Sequence, residues 1–328
     1  MGIIDSDRRL HSLKKVIAIG ELLIDFVPHQ KGCGLSEVTD FERVAGGAPA
    51  NVVAAAVSLG APGCMVSQVG QDAFGDYIIH TLQQNGVDTQ YVFRHPQAKT
   101  ALAFVLLDAS GNREFSFYRN PSADLYLAES QITPEMFADA GVLHFCSVDL
   151  VPYPVKEAHR KAIQLARQAG ALISFDPNVR LALWESETAC QQAIREFLPE
   201  ADLVKLSDNE IEFVTGCKEE RQAAEKLFAL GSKLVLITKG GDGSAVYTQT
   251  AQAFAQACPT EVVDTTGAGD SFAGAFLYQL MRDGVTADTL GTLPAEKLQE
   301  YLEYASKCSA YTCAHKGAVM PTAAELSK

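Results

Sequence analysis

The sequence predicts an α/β fold, a mostly parallel sheet covered by helices on both faces, with a small β-sheet growing from its N-terminal half. Three observations carry this. Short apolar runs alternate with segments of helical period. Two stretches break the alternation with strand-like patterns. At 328 residues and 47% apolar, the chain can fill one large α/β domain with an appendage, or two domains.

In chain order, KKVIAIG (14–20) reads as a strand and NVVAAAVSL (51–59) as a small-residue helix stopped by Gly60. CMVSQVG (64–70) is a second strand, and a helix runs from Gly75 to Asn85. VLHFCSV (142–148), ALISFDP (171–177), DLVKLS (202–207) and KLVLITKG (233–240) are further strands. Helical patterns fall at 155–169, 187–198, 209–215 and 219–230. Parallel strands buried on both faces read as such continuous apolar runs. Residues 21–45 hold short strands and little helix. Residues 100–119 read as a hairpin turning at Ala109–Asn112.

Net charge is −13, from 27 basic and 40 acidic residues, which argues against broad nucleic-acid binding. No apolar run approaches the ~20 residues of a membrane helix. The first residues are charged, without the apolar stretch of a secretory signal. Eight scattered cysteines form no C-x-x-C or zinc-finger spacing and fit free thiols in a reducing cytoplasm.

VVDTTGAGDSFAGAF (262–276) is the most informative stretch. Phe272, Phe276 and Leu280 recur at helical spacing, so a helix starts near Gly267–Asp270 and ends near Gly284. Its glycines expose N–H groups that, with the helix dipole, favour an anion. Asp270 then either complements the dipole or accepts the proton of a hydroxyl attacking that anion.

Other candidates carry two readings each. GGAPAN (46–51) is a capped tight turn or a polyol cradle with Asn51 as donor and acceptor. Asp25 lies on a solvated strand face or accepts sugar hydroxyls. In FDPNVR (175–180), Arg180 makes a loop salt bridge or clamps a phosphate. Ser207 and Glu210 form a capping box, and Glu210 can also stand near Mg²⁺ through water. TKGGDGS (238–244) is a hairpin turn or lies along a nucleotide. No Walker P-loop is present, and no G-x-G-x-x-G opens a helix after the first strand.

Together these stretches resemble the PfkB/ribokinase family of carbohydrate kinases, from VIAIGELLIDF to HKGAVMP. DTTGAGDSF is similar to that family's C-terminal signature, and GGAPANVVAAAVSLG with VGQDAFGDYI to its N-terminal one. TALAFVLLDASGNREFSFYRNPSADLYL, SFDPNVRLALW and GELLIDFVP are similar to fructokinases within it.

The resemblance implies a ribokinase-like three-layer α/β/α fold, one domain over 1–328, with lid segments near 21–45 and 100–122. It implies Asp270 as catalytic base and Gly267, Ala268 and Gly269 as the anion hole. Asp25, Gly46, Gly47 and Asn51 would hold the sugar. Arg180 would approach substrate or the transferring phosphate. Thr238, Gly240, Gly243 and Ser306 would line the nucleotide site. Asp264 and Thr266 would begin a monovalent-cation site, usually for K⁺, and Mg²⁺ would sit near Glu210. The implied reaction is ATP-dependent phosphorylation of D-fructose at its 6-hydroxyl, in a cytoplasmic homodimer joined through the lid.

Two departures matter. The family's N-x-x-E has Ser207 at its first position here. GGAPAN replaces the GGKGAN of ribokinases, which argues against ribose. Other acceptors implied by the family are 2-keto-3-deoxygluconate and an aminoimidazole riboside. For the anionic sugar acid, Arg113 and Arg119 are the candidate lid cations. A reading from another class is a sugar-sensing protein that kept the fold without catalysis.

Overall fold

The computed structural model describes residues 13–30, 32–107 and 113–327. The strands in chain order are β1 (Lys15–Ile19), β2 (Leu23–Pro28), β3 (Phe41–Gly46), β4 (Gly63–Gly70), β5 (Asp88–His95), β6 (Ala101–Leu107) and β7 (Arg113–Tyr118). They continue with β8 (Ala140–Cys146), β9 (Leu172–Asp176), β10 (Leu203–Ser207), β11 (Leu234–Thr238), β12 (Ser244–Tyr247) and β13 (Gln252–Ala255). The larger sheet has the order β13-β12-β11-β10-β9-β8-β1-β4-β5. From β11 to β5 every pairing is parallel, and β12 and β13 extend that edge antiparallel.

The helices are α1 (Ala48–Ser58), α2 (Ala73–Gln84), α3 (Pro154–Gln168), α4 (Glu187–Phe197), α5 (Ile211–Thr215), α6 (Glu220–Ala229), α7 (Ala268–Arg282), α8 (Ala287–Leu290) and α9 (Ala295–Cys313). Strand β1 shows why the sheet needs helices on both sides. Its Val16 and Ala18 pack into a core shared with α1, α2, α7 and α9, while Ile17 and Ile19 enter a second core with α3, α4 and α6. Side chains alternate across a strand, so two apolar faces demand two helical layers. In the second core Phe145 stacks on Phe175 at 4.5 Å between centroids and meets the edge of Phe197. Each such buried ring stabilises the fold by about 1.5–3 kcal/mol.

All six strands expected for this sheet are present. Strands β5 and β13 were not expected, whereas β12 follows the 238–244 turn that one reading took as a hairpin. Both unexpected strands lie at the sheet's edges, where half-exposed polar residues interrupt the apolar runs that mark central strands.

The four-stranded sheet has the order β3-β2-β6-β7. Strand β2 pairs in parallel with β6, from Leu23 opposite Ala101 to Phe26 opposite Phe104. The hairpin expected over 100–119 is the β6–β7 pair. Its expected turn at Ala109–Asn112 lies outside the described residues, as does the chain's N-terminal dozen.

Two local devices fix the parts that flank the site. Asp72 caps α2, its Oδ1 accepting from the Phe74 and Gly75 N–H groups, and also ties that helix to β6 by accepting from the Thr100 N–H at 3.0 Å. Gly274 lets α7 approach α1 closely. A methyl group there would lie 2.4 Å from the Val52 carbonyl oxygen and 2.6 Å from Ala55 Cβ. Among the described residues, no helix is long and apolar enough to cross a membrane.

Candidate active site

The chain fills the sheet outward from β1 in both directions, with β4 on one side and β8 on the other. Ligands of open α/β sheets bind at such a reversal, beyond the carboxyl ends of the strands. Glu21 lies just beyond β1, Asp176 ends β9, Ser207 ends β10 and Thr238 ends β11. The candidate residues therefore share one rim of the sheet.

Helix α7 enters this rim through Gly267, whose φ of 73° is left-handed, and no side chain caps the helix. A Cβ on Gly267 would also fall 2.6 Å from Ala318 Cβ. Asp270 sits in the first turn, and its carboxylate reaches across to α1. The Asn51 Nδ2 donates to Asp270 Oδ2 at 2.8 Å. Burial pushes the Asp270 carboxyl up to about 6, opposed by the Asn51 hydrogen bond and the Lys205 charge. A carboxylate so placed is ionised at neutral pH and is a better base than an exposed one.

Two cavities flank the turn. One is lined by Asp25, Gly47, Asn51, Asn178, Arg180 and Asp270, together with Gly267 and Phe117 of β7. Arg180 is exposed here, and its Nη1 donates to the Val179 carbonyl. The other cavity is lined by Thr238, Gly240, Gly243, Ser306, Ala268 and Gly269. Thr265 borders both. The loop holding Gly240 and Gly243 is the turn of the β11–β12 hairpin, as one of its two readings expects.

A third hollow, sharing Asp25, Asn51 and Thr266 with the first, is also lined by Gly46 and Asp264. Asp264 accepts from the Thr266 N–H and hydroxyl through Oδ1, and from the Gly317 N–H through Oδ2. It thereby fastens the 264–266 segment to the chain near 317.

Glu210 forms the expected capping box. Its Oε2 accepts from the Ser207 N–H and hydroxyl at 2.8 Å each, and its Oε1 from the Val179 N–H at 2.6 Å. Among the described residues, no three His, Cys, Asp or Glu side chains converge to hold a metal.

Arg119, left open in the sequence as a lid cation for a sugar acid, is turned inward in the structure. It is buried, its Nε donating to Asp124 Oδ2 at 2.8 Å, its Nη1 to the Val148 carbonyl, and its Nη2 paired with Asp149. Its charge is committed to the protein's own carboxylates and does not face a substrate.

Two buried charges, Lys205 and Glu21, escaped the sequence reading of the site. Lys205 pairs with Asp176 at 2.7 Å, both nearly inaccessible. Glu21 accepts from the Ala48 N–H at the start of α1, and burial raises its carboxyl to about 7. The signal for Lys205 was present in DLVKLS, a lone ammonium inside an otherwise apolar central strand.

The chain belongs to the pfkB family of carbohydrate kinases, whose family profile matches residues 13–324. It is 42% identical over 316 residues to "Probable fructokinase-5" of Arabidopsis thaliana, covering 95% of this chain and 96% of that one. Among solved structures it resembles a fructokinase with bound ATP from Xylella fastidiosa. That match has a TM-score of 0.86 and 32% identity, covering 95% of this chain and 97% of that one. A fructokinase from Vibrio cholerae O395, solved with fructose, ADP and calcium ion, matches with a TM-score of 0.85 and 31% identity, covering 96% and 98%. The ribokinase-like three-layer fold and a sugar kinase activity are thereby established for this chain.

Proposed function

We propose that this kinase transfers the γ-phosphoryl group of ATP to the 6-hydroxyl of D-fructose, giving fructose 6-phosphate and ADP. The observation that carries this reading is the pair of cavities meeting at the Gly267–Asp270 turn. ATP would occupy the cavity of Thr238, Gly240, Gly243 and Ser306. Fructose would occupy the cavity of Asp25, Gly47 and Asn51, with Gly46 backing it. Asp25 and Asn51 would hold sugar hydroxyls, and Asp270 would accept the proton of the attacking one. The N–H groups of Gly267, Ala268 and Gly269 would face the phosphoryl group as charge develops, with Arg180 at the rim.

The choice of fructose is supported by the fructokinase names of the relatives and by the fructose bound in the Vibrio cholerae structure. The commitment of Arg119 to Asp124 and Asp149 removes one cation that a sugar acid would use.

Mg²⁺ belongs to the same reading. The donor set suits an ion carried on the nucleotide phosphates, with water between it and Glu210, and the ion would offset phosphate charge. Monovalent-cation binding, usually of K⁺, is proposed at Asp264 and Thr266. The four-stranded sheet would serve as a lid that excludes water on closure. Its Phe26, Phe104 and exposed Tyr118 form an aromatic cluster through which a homodimer would join in the cytoplasm.

The deciding experiment is ADP release with a panel of sugars at fixed Mg²⁺, with and without K⁺. Fructose should exceed ribose, 2-keto-3-deoxygluconate and aminoimidazole riboside in kcat/KM. A faster acceptor in the panel overturns the fructose assignment. Fructose binding without ADP release under any metal condition overturns catalysis.

A further inference from the structure

Lys205 stands in the middle of β10 with its side chain on the face toward α7. Its flanking Val204 and Leu206 point into the opposite core. Its Nζ lies 2.7 Å from Asp176 Oδ2. A Cβ built on Gly269 would approach that same Nζ to 3.3 Å, so the ammonium lies close to the Gly267–Gly269 turn. A buried ion pair of this kind is a weak source of stability, because apolar residues of similar volume often serve as well. Its placement asks for another account.

We infer that Lys205 is a positioning residue, whose fixed positive charge beneath the Gly267–Gly269 turn balances Asp270 and supports the phosphoryl group bound above. The inference rests on the proposed role of Asp270 and extends it. Three carboxylates act on this one ammonium, those of Asp176, Glu210 and Asp270. Asp270 in turn feels Lys205 from β10, Asp176 from β9, Arg180 from the loop after β9 and the Asn51 amide from α1. Cys146, on β8, also faces this group, and burial holds its thiol neutral. Lys205 favours the ionised Asp270 and Asp176 opposes it, so the two members of one ion pair pull the base in opposite directions.

The test is the pH profile of kcat/KM in single variants. Lys205→Met should move the acid limb up by about one pH unit and lower the plateau kcat about ten-fold. Lys205→Arg should keep the limb near that of the unaltered enzyme. Asp176→Asn should move it down. A purely structural role predicts no opposed displacement, and titration of the nucleotide itself is common to all variants. A folded Lys205→Met enzyme with unchanged limb and plateau overturns the inference. If that variant does not fold, an Asp176→Asn limb that stays or rises overturns it instead. Asp270→Asn, run alongside, separates the two levels. Near-normal turnover there refutes the base itself and this inference with it, whereas an inactive Asp270→Asn with no Lys205 effect refutes only the role of Lys205.

Discussion

Replacing Asp270 by asparagine should lower activity and raise stability together. The carboxyl moves from 3.8 to about 6 because burial disfavours its charge. An unfolded chain is free of that penalty. Between these two values the unfolded state is ionised while the folded state holds its proton, so stability falls as pH rises through this window. Above about pH 6 the full penalty stands, about 3 kcal/mol for a carboxylate entirely enclosed. Water in the open cavity screens it, and about 2 kcal/mol is the working figure. Asparagine keeps an oxygen to accept the Asn51 hydrogen bond and carries no charge. With an unfolding entropy near 2.1 cal/mol/K per residue, Tm should rise by about 3 °C at pH 8. The gain should shrink to about half at pH 5. Turnover should drop by ~10²–10⁴, as when a general base is lost. Differential scanning fluorimetry from pH 5 to 8, beside ADP-release kinetics, reads both. A Tm that falls at pH 8, or a gain that grows toward pH 5, refutes the electrostatic reasoning. Retained turnover refutes the catalytic one.

Other perturbations have distinct signatures. Asp25→Ala should raise the fructose KM by about 10–100-fold, the worth of charge-assisted hydrogen bonds, and leave kcat within a few-fold; steady-state kinetics decide, and an unchanged KM moves the sugar elsewhere. Gly274→Ala should wedge α7 from α1 and destabilise the protein by about 1–3 kcal/mol, read as a lower Tm, and should slow turnover by disturbing the Asn51–Asp270 contact. Arg119→Met should leave Asp124 and Asp149 buried without their cation and remove about 3–5 kcal/mol; a thermal melt unchanged from the unaltered protein contradicts the buried cluster.

Much of this architecture was legible because its signals are local. Apolar runs announced the central strands, and the capping box at Ser207 and Glu210 formed as its spacing requires. Asp270 and Asn51 stood out by their glycine-rich settings. The fastening of α2 to β6 by Asp72 was not legible, since its Thr100 partner is remote in sequence and no spacing rule links them. Arg119 was left open for a related reason. The role of a cation in a β-appendage is undecided until the fold brings Asp124 and Asp149 around it. Edge strand β5 was missed because its polar residues suit one exposed face and blur the pattern.

The Asn51–Asp270 contact spans 219 residues of sequence. Ribosomes add ≈ 5–20 residues per second, so roughly 10–40 s separate the emergence of these two side chains. Throughout that interval the growing chain carries its proposed acceptor-binding half without the base that would activate a hydroxyl. On the proposed reading, a nascent or prematurely terminated chain ending before residue 270 cannot consume ATP, and turnover begins only when the protein is nearly complete.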